Sequence, residues 1–255
     1  MFHDPDACRE CLACLPYCPM GAIGIHDGRG VDIDRDRCVE CGTCARTHIC
    51  PENAFRPEVL VWPRVLRSMF SDPVSVHKDT REPGRGTEEM KTNDVTGRFR
   101  AGILGVTIEV GRPGVSASFG EIQVMTTACA ALGVDFEEEN PLTGLMADRG
   151  QGLLRPEILE ERVLSALIEM RIPKDRLAEV VGGLTKASET LDTVFSLGVS
   201  GLASWREDAE FFDSLGAMGI SGGGMHTFFS TCLDRRIKAC VISGYFCSWF
   251  DSILA

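Results

Sequence analysis

The sequence predicts an α+β protein built from three segments of different character, with a polar stretch between the first and second. Three observations carry this. Eight of the twelve cysteines fall between Cys8 and Cys50, in two half-repeats. Residues 101–204 alternate strand-like and helix-like apolar patterns in the order β-α-β-β-α-β. Residues 205–255 set a glycine-rich turn and a helical stretch between two short apolar strands.

The 255 residues leave room for two or three domains. Hydrophobic residues make up 44% and charged residues 25%, as in ordinary globular chains. A net charge of −11 argues against a nucleic-acid partner, because phosphate binding needs a basic surface. It suits docking to basic partner surfaces. The opening MFHDPDAC has no signal-peptide pattern, and no apolar run approaches a membrane span. The expected address is the cytoplasm, with no membrane contact. In a reducing compartment, cysteines two residues apart point to metal ligation, not to disulfides.

Residues 1–56 contain the repeat. A shift of 30 places Cys8, Cys11 and Cys14 on Cys38, Cys41 and Cys44; a shift of 32 places Cys18-Pro19 on Cys50-Pro51 and Ala22 on Ala54. Between the halves, Ile23 and Ile25, then Val31 and Ile33, alternate with polar residues around Asp27-Gly28-Arg29-Gly30, which predicts a short hairpin. The first half reads C-x2-C-x2-C-x3-C-P. Three thiolates at two-residue gaps can wrap three corners of one [4Fe–4S] cubane, and the fourth, followed by proline, lies too far along the chain and reaches the other. Cys8, Cys11, Cys14 and Cys50 would then hold one cluster, and Cys38, Cys41, Cys44 and Cys18 the second. Paired zinc sites would use C-x2-C pairs with a separating stretch.

This segment resembles the bacterial two-cluster ferredoxins over residues 1–56. The resemblance implies a module that accepts and passes single electrons at low potential. One departure is that five residues separate Cys44 from Cys50 where the simple pattern has three. The longer loop over the second cluster is expected to alter its solvent access or hydrogen bonding, and so its potential.

Residues 57–100 are read as a linker. Their first part, PEVLVWPRVLRSMF, is apolar enough to pack beneath the clusters as a short strand or helix, and the remainder is polar and glycine-bearing. The middle segment follows, with a strand at Ile103–Val110, a helix at 119–132 and a return strand at 134–137. A further short strand is expected near 142–146, a helix from Pro156 to Met170, another helix near 174–191 and a closing strand at 193–199. The stretch GRGTEEMKTNDVTGRFRAGILGVTIEVGRPG resembles the region after the ferredoxin part of 6-hydroxynicotinate reductase-like proteins. The element order resembles ACT-type regulatory sandwiches. By that resemblance the turn Gly111-Arg112-Pro113-Gly114 would lie near a small-molecule ligand such as an amino acid. The plainer account, which we prefer, is that these glycines only make a tight turn. Cys129, among alanines on a helix face, reads as a small core residue.

In the last segment Gly219-Ile220-Ser221-Gly222-Gly223 matches G-x-S-x-G between a strand and a helix at 225–233, and 239–244 reads as a buried strand. GAMGISGGGMHTFFSTCLDRRIKACVISGYFCSWFDSILA resembles the nucleophile-elbow region of acetyl-xylan-esterase-like α/β-hydrolases, which would make Ser221 a vestigial nucleophile. The only later histidine, His226, is one turn along the same helix and cannot reach back, so no triad forms. The apolar strand around 239–246 would favour oligomers unless it is paired. The expected function is therefore electron transfer through two [4Fe–4S] clusters, to a redox protein or as the electron-entry part of a reductase. Metabolite sensing by the middle domain is the alternative, and serine hydrolysis is disfavoured by the incomplete triad.

Overall fold

The structure is a computed structural model that describes residues 1–25, 30–74, 100–111, 114–201, 215–220 and 237–243. The chain divides into two compact units, Met1–Leu202 and Ala203–Ala255.

In the first unit the sequence repeat returns as a repeat of backbone contacts. Strand β1 (Phe2–His3) pairs antiparallel with β4 (Phe55–Arg56), His3 opposite Phe55. Strands β2 (Ile23–Ile25) and β3 (Val31–Ile33) pair in the same way, Ile33 opposite Ile23. The tip of the expected hairpin, residues 26–29, lies outside the described residues. Asp4 N donates to Ala54 O and Asp34 N to Ala22 O, each at 2.8 Å. Both cysteine loops also turn back on themselves through left-handed residues: Glu10 (φ 53°) and Leu12 (φ 59°) recur as Glu40 (φ 55°) and Gly42 (φ 69°). Such reversals let a short loop curl around a centre, at a steric cost where the residue has a Cβ. The halves differ after the third cysteine. The first has a 3-10 turn at Leu15–Tyr17, and the second uses its two extra residues to form helix α1 (Thr43–Arg46).

The middle of the chain forms a four-stranded antiparallel sheet in the order β12-β5-β11-β7. These strands are β5 (Ile103–Val110), β7 (Asp135–Phe136), β11 (Ala166–Pro173) and β12 (Phe195–Gly201). Helix α3 (Phe119–Ala131) follows β5, and α4 (Leu177–Ser188) follows β11. Ser118 caps α3 reciprocally: its Oγ accepts from Glu121 N at 3.1 Å while its own N–H donates to Glu121 Oε2 at 2.7 Å. Val106 and Ile108 of β5 and Ile168 and Met170 of β11 share one core with Ile122 of α3 and Leu184 of α4. Short strands β6 (Ala117–Ser118), β8 (Met146–Asp148), β9 (Leu153–Leu154) and β10 (Arg162–Val163) pair as β6–β10 and β8–β9.

The helix expected from Pro156 to Met170 does not form. Pro156–Ile158 is a single 3-10 turn, and the chain then runs through β10 into β11, an inner strand of the sheet. Its buried Ala166, Ile168, Met170 and Ile172 alternate with other residues at period two. That alternation, pinned by pairing with β5 and β7 on either side, overrides the helical spacing of the same apolar set. The short strand expected near 142–146 is a 3-10 turn at Thr143–Leu145 followed by β8.

Residues 57–74 do more than connect. Helix α2 (Val65–Ser71) buries Leu66 and Phe70 in the core of the middle segment, and Phe70 meets Phe119 edge-on with ring centroids 5.4 Å apart. Ser71 Oγ accepts from Leu164 N at 2.8 Å. In the second unit, β13 (Leu215–Ile220) and β14 (Ile237–Ser243) pair in parallel, Ile220 opposite Ser243. Ser221, His226 and the helix expected at 225–233 lie outside the described residues. Among the described residues, no helix is long and apolar enough to cross a membrane.

Candidate metal centres

The cysteine loops enclose two recesses. Cys18, Cys38, Cys41 and Cys44 line one, together with Met1, Ile23 and Ile33. Cys8, Cys11, Cys14 and Cys50 line the other, with Val31 and Ile49. Each recess thus draws three cysteines from one half of the repeat and its fourth from the other. The apolar cover is exchanged too: Met1 of the first half lies on the second half's recess, and Val31 of the second half on the first's. The eight N-terminal cysteines and Cys129 are free of disulfides.

Backbone donors are aimed at the sulfurs. Ala22 N reaches Cys18 Sγ at 3.1 Å, and its counterpart Ala54 N reaches Cys50 Sγ at 3.4 Å. Glu10 N lies 3.3 Å from Cys8 Sγ, and the Thr43 hydroxyl lies 3.3 Å from Cys41 Sγ. Such donors favour sulfur carrying negative charge. Burial acts in the opposite direction on the bare thiols. It raises Cys14 and Cys38, and it pushes Cys44 up to about 12, with the neighbouring Cys41 and Cys38 charges adding to the rise. Uncompensated thiolates are costly here, so the cation of a metal centre is what makes four of them tenable side by side. Among the described residues no three Cys, His, Asp or Glu side chains converge as a single metal ion requires. A cubane asks for no such convergence, since it takes one thiolate per iron.

The surroundings of the second recess hold residues that the sequence pattern did not single out. The Glu40 side chain is 2% exposed and receives the N-terminal ammonium of Met1 and Arg64, whose Nη2 lies at 2.6 Å. Arg67 of α2, 7% exposed, donates from Nη1 to the carbonyls of Arg35 (3.1 Å), Asp36 (2.8 Å) and Cys38 (2.9 Å). Its Nε pairs with Glu161. Arg67 therefore ties the backbone leading into Cys38 to the middle segment. On the first half, His3 occupies the place that Ile33 has in the repeat; it is buried against Phe55, and its Nε2 has no hydrogen-bond partner among the described residues.

The remaining predicted sites have structural explanations or lie outside the description. Gly111 has φ 97°, and a Cβ there would stand 2.8 Å from Leu164 O and 3.1 Å from the Ser116 carbonyl carbon, so close backbone approach alone requires glycine. Arg112 and Pro113 are outside the described residues. Cys129 is fully buried in the core, where burial pushes its thiol up to about 12.

Residues 7–58 match the family model for a 4Fe–4S dicluster domain. The chain is also 39% identical over 57 residues to pyruvate synthase subunit PorD of Methanothermobacter marburgensis. That match takes in 22% of this chain and 63% of the relative. No solved structure matches the chain. With eight cysteines disposed four and four around two recesses, the N-terminal segment binds two [4Fe–4S] clusters and serves electron transfer.

Proposed function

We propose that this chain is the electron-entry component of a larger redox enzyme, with its clusters ligated crosswise. Cys8, Cys11, Cys14 and Cys50 hold the first cluster, and Cys38, Cys41, Cys44 and Cys18 the second. The observation that carries the reading is the lining of the two recesses by those two sets of four. When bound, the clusters supply one-electron redox chemistry; the chain's own residues hold them, exclude water with Ile23, Ile33 and Val31, and direct N–H groups at the sulfurs. The matched relative is by name a subunit of pyruvate synthase, which supports a subunit role for a module of this kind. Thiols at these spacings support a reducing compartment such as the cytoplasm as its address. For residues 101–204, the strand order β12-β5-β11-β7 supports an ACT-like sandwich. We take that sandwich as the platform for the cluster module rather than as a metabolite sensor, because Gly111 is accounted for by packing.

Paired substitutions test the ligation. Cys18→Ala combined with Cys41→Ala removes two ligands of one cluster, so iron content should fall by half. Cys18→Ala combined with Cys11→Ala strikes both clusters and should remove nearly all the iron. Ligation within each half of the repeat would give the reverse pair of results and overturn the assignment.

A further inference from the structure

The two cysteine loops are related by sequence but not by exposure. In the first, Arg9, Glu10, Cys11, Leu12 and Ala13 are all exposed. At the matching positions of the second, Val39 and Glu40 are buried, and Cys41, Gly42 and Thr43 are half-buried. The cover comes from residues that have no counterpart on the first loop. The N-terminal ammonium and Arg64 close over Glu40, Arg67 holds the turn leading into Cys38, and Arg46 pairs with Asp72 at 2.6 Å. Electron exchange between proteins falls steeply with distance, so a partner gains most where cluster ligands reach the surface.

Charge says what kind of partner this is. Among the described residues, Asp6 and Glu10 of the exposed first loop and Glu52 of the recess lining supply three carboxylates, against the guanidinium of Arg9, which is already paired with Glu52 at 2.7 Å. Arg9, Leu12 and Glu52 line the recess itself. The exposed loop therefore presents an apolar residue and a cysteine ligand inside an acidic rim, on a chain of net charge −11.

We propose that electrons pass between this protein and its external redox partner at the first cluster alone, across the exposed Arg9–Ala13 loop, and that the partner is a redox protein with a basic docking face. The second cluster is the inner one, reached only through the first. One electron leaves the reduced partner and enters the first cluster, and no covalent bond in the chain is made or broken. The proposal rests on the crosswise cluster reading above.

The test uses the full chain carrying both clusters and hexaamminechromium(III), a trivalent, redox-inert, paramagnetic cation. The hyperfine-shifted cysteine β-proton signals are sorted by those that survive in Cys18→Ala/Cys41→Ala, which retains the first cluster. The expected result is broadening several-fold greater for the Cys8, Cys11, Cys14 and Cys50 signals than for the other set. That difference should be lost at high salt, where exposed charges are screened. It should also be lost in Glu10→Lys, and in Asp6→Lys/Glu52→Lys, which leaves the ligand loop intact. Equal broadening of both sets, or stronger broadening of the second, overturns the proposal while leaving the cluster assignment standing. Absence of any hyperfine-shifted signals overturns the cluster reading and this proposal with it.

Discussion

A guanidinium with 7% exposure, hydrogen-bonded to three carbonyls and paired with Glu161, makes Arg67 a residue whose loss the first unit should feel strongly. Arg67→Ala leaves those acceptors and a part-buried carboxylate without their donor, a change of the kind that costs about 3 kcal/mol. Chemical denaturation of the cluster-loaded protein should show that loss, and a change below about 0.5 kcal/mol, the range of ordinary surface substitutions, would show the contact to be dispensable. Glu58 makes a milder, pH-dependent contribution. Burial alone would raise its carboxyl, but hydrogen bonds and charge from Arg35 and the N-terminal ammonium hold it below the ordinary carboxylate range. A carboxylate with a depressed folded value stabilises above its unfolded value and loses that contribution as pH falls through the folded one. Acid denaturation profiles of the native protein and Glu58→Gln should therefore differ at neutral pH and converge in acid; a constant offset would contradict the assignment. The cysteine pattern was legible in the sequence because its spacing is local. Arg67 and Glu40 were not, because their partners stand up to 94 residues away and no periodicity marks such a pair.

At the scale of elements, α2 is the hinge of the account: seven residues that face the second cluster loop through Arg67 and the middle core through Leu66 and Phe70. Phe70→Ala removes a ring 3% exposed and its edge contact with Phe119, which should cost about 3–5 kcal/mol, readable as a lowered denaturation midpoint. A cost near zero would mean that the helix does not dock. The sequence reading has 57–70 packing beneath the clusters, whereas its Leu66 and Phe70 pack in the core of the middle segment, because a short amphipathic stretch carries no address. Strand β5 and helix α3 were readable, the one from an uninterrupted apolar run and the other from its helical period. Strand β11 was misread because Ile158, Leu159, Val163, Leu164, Leu167 and Ile168 satisfy a helical period, while the register that makes Ala166, Ile168, Met170 and Ile172 one face is supplied by β5 and β7.

Across the whole molecule, a nearly symmetric pair of metal loops is made asymmetric by what folds over it. The repeat fixes two equivalent recesses, and among the described residues the chain that follows covers the second loop and leaves Arg9–Ala13 of the first exposed. Met1–Leu202 behaves as one compact unit for the same reason: the contacts that enclose the second loop are also those that join it to the middle sheet. The family match covers residues 7–58 and is silent on that coupling. All of this depends on the metal content of the first unit. Anaerobically purified or reconstituted full-length protein should therefore be assayed for iron and acid-labile sulfide, then reduced with dithionite and examined by electron paramagnetic resonance. Two cubanes predict about eight irons and about eight sulfides per chain, a broad visible absorbance that bleaches on reduction, and a reduced spectrum broadened by two interacting spins. Colourless protein, zinc in place of iron, or a single isolated spin from about four irons would contradict the account.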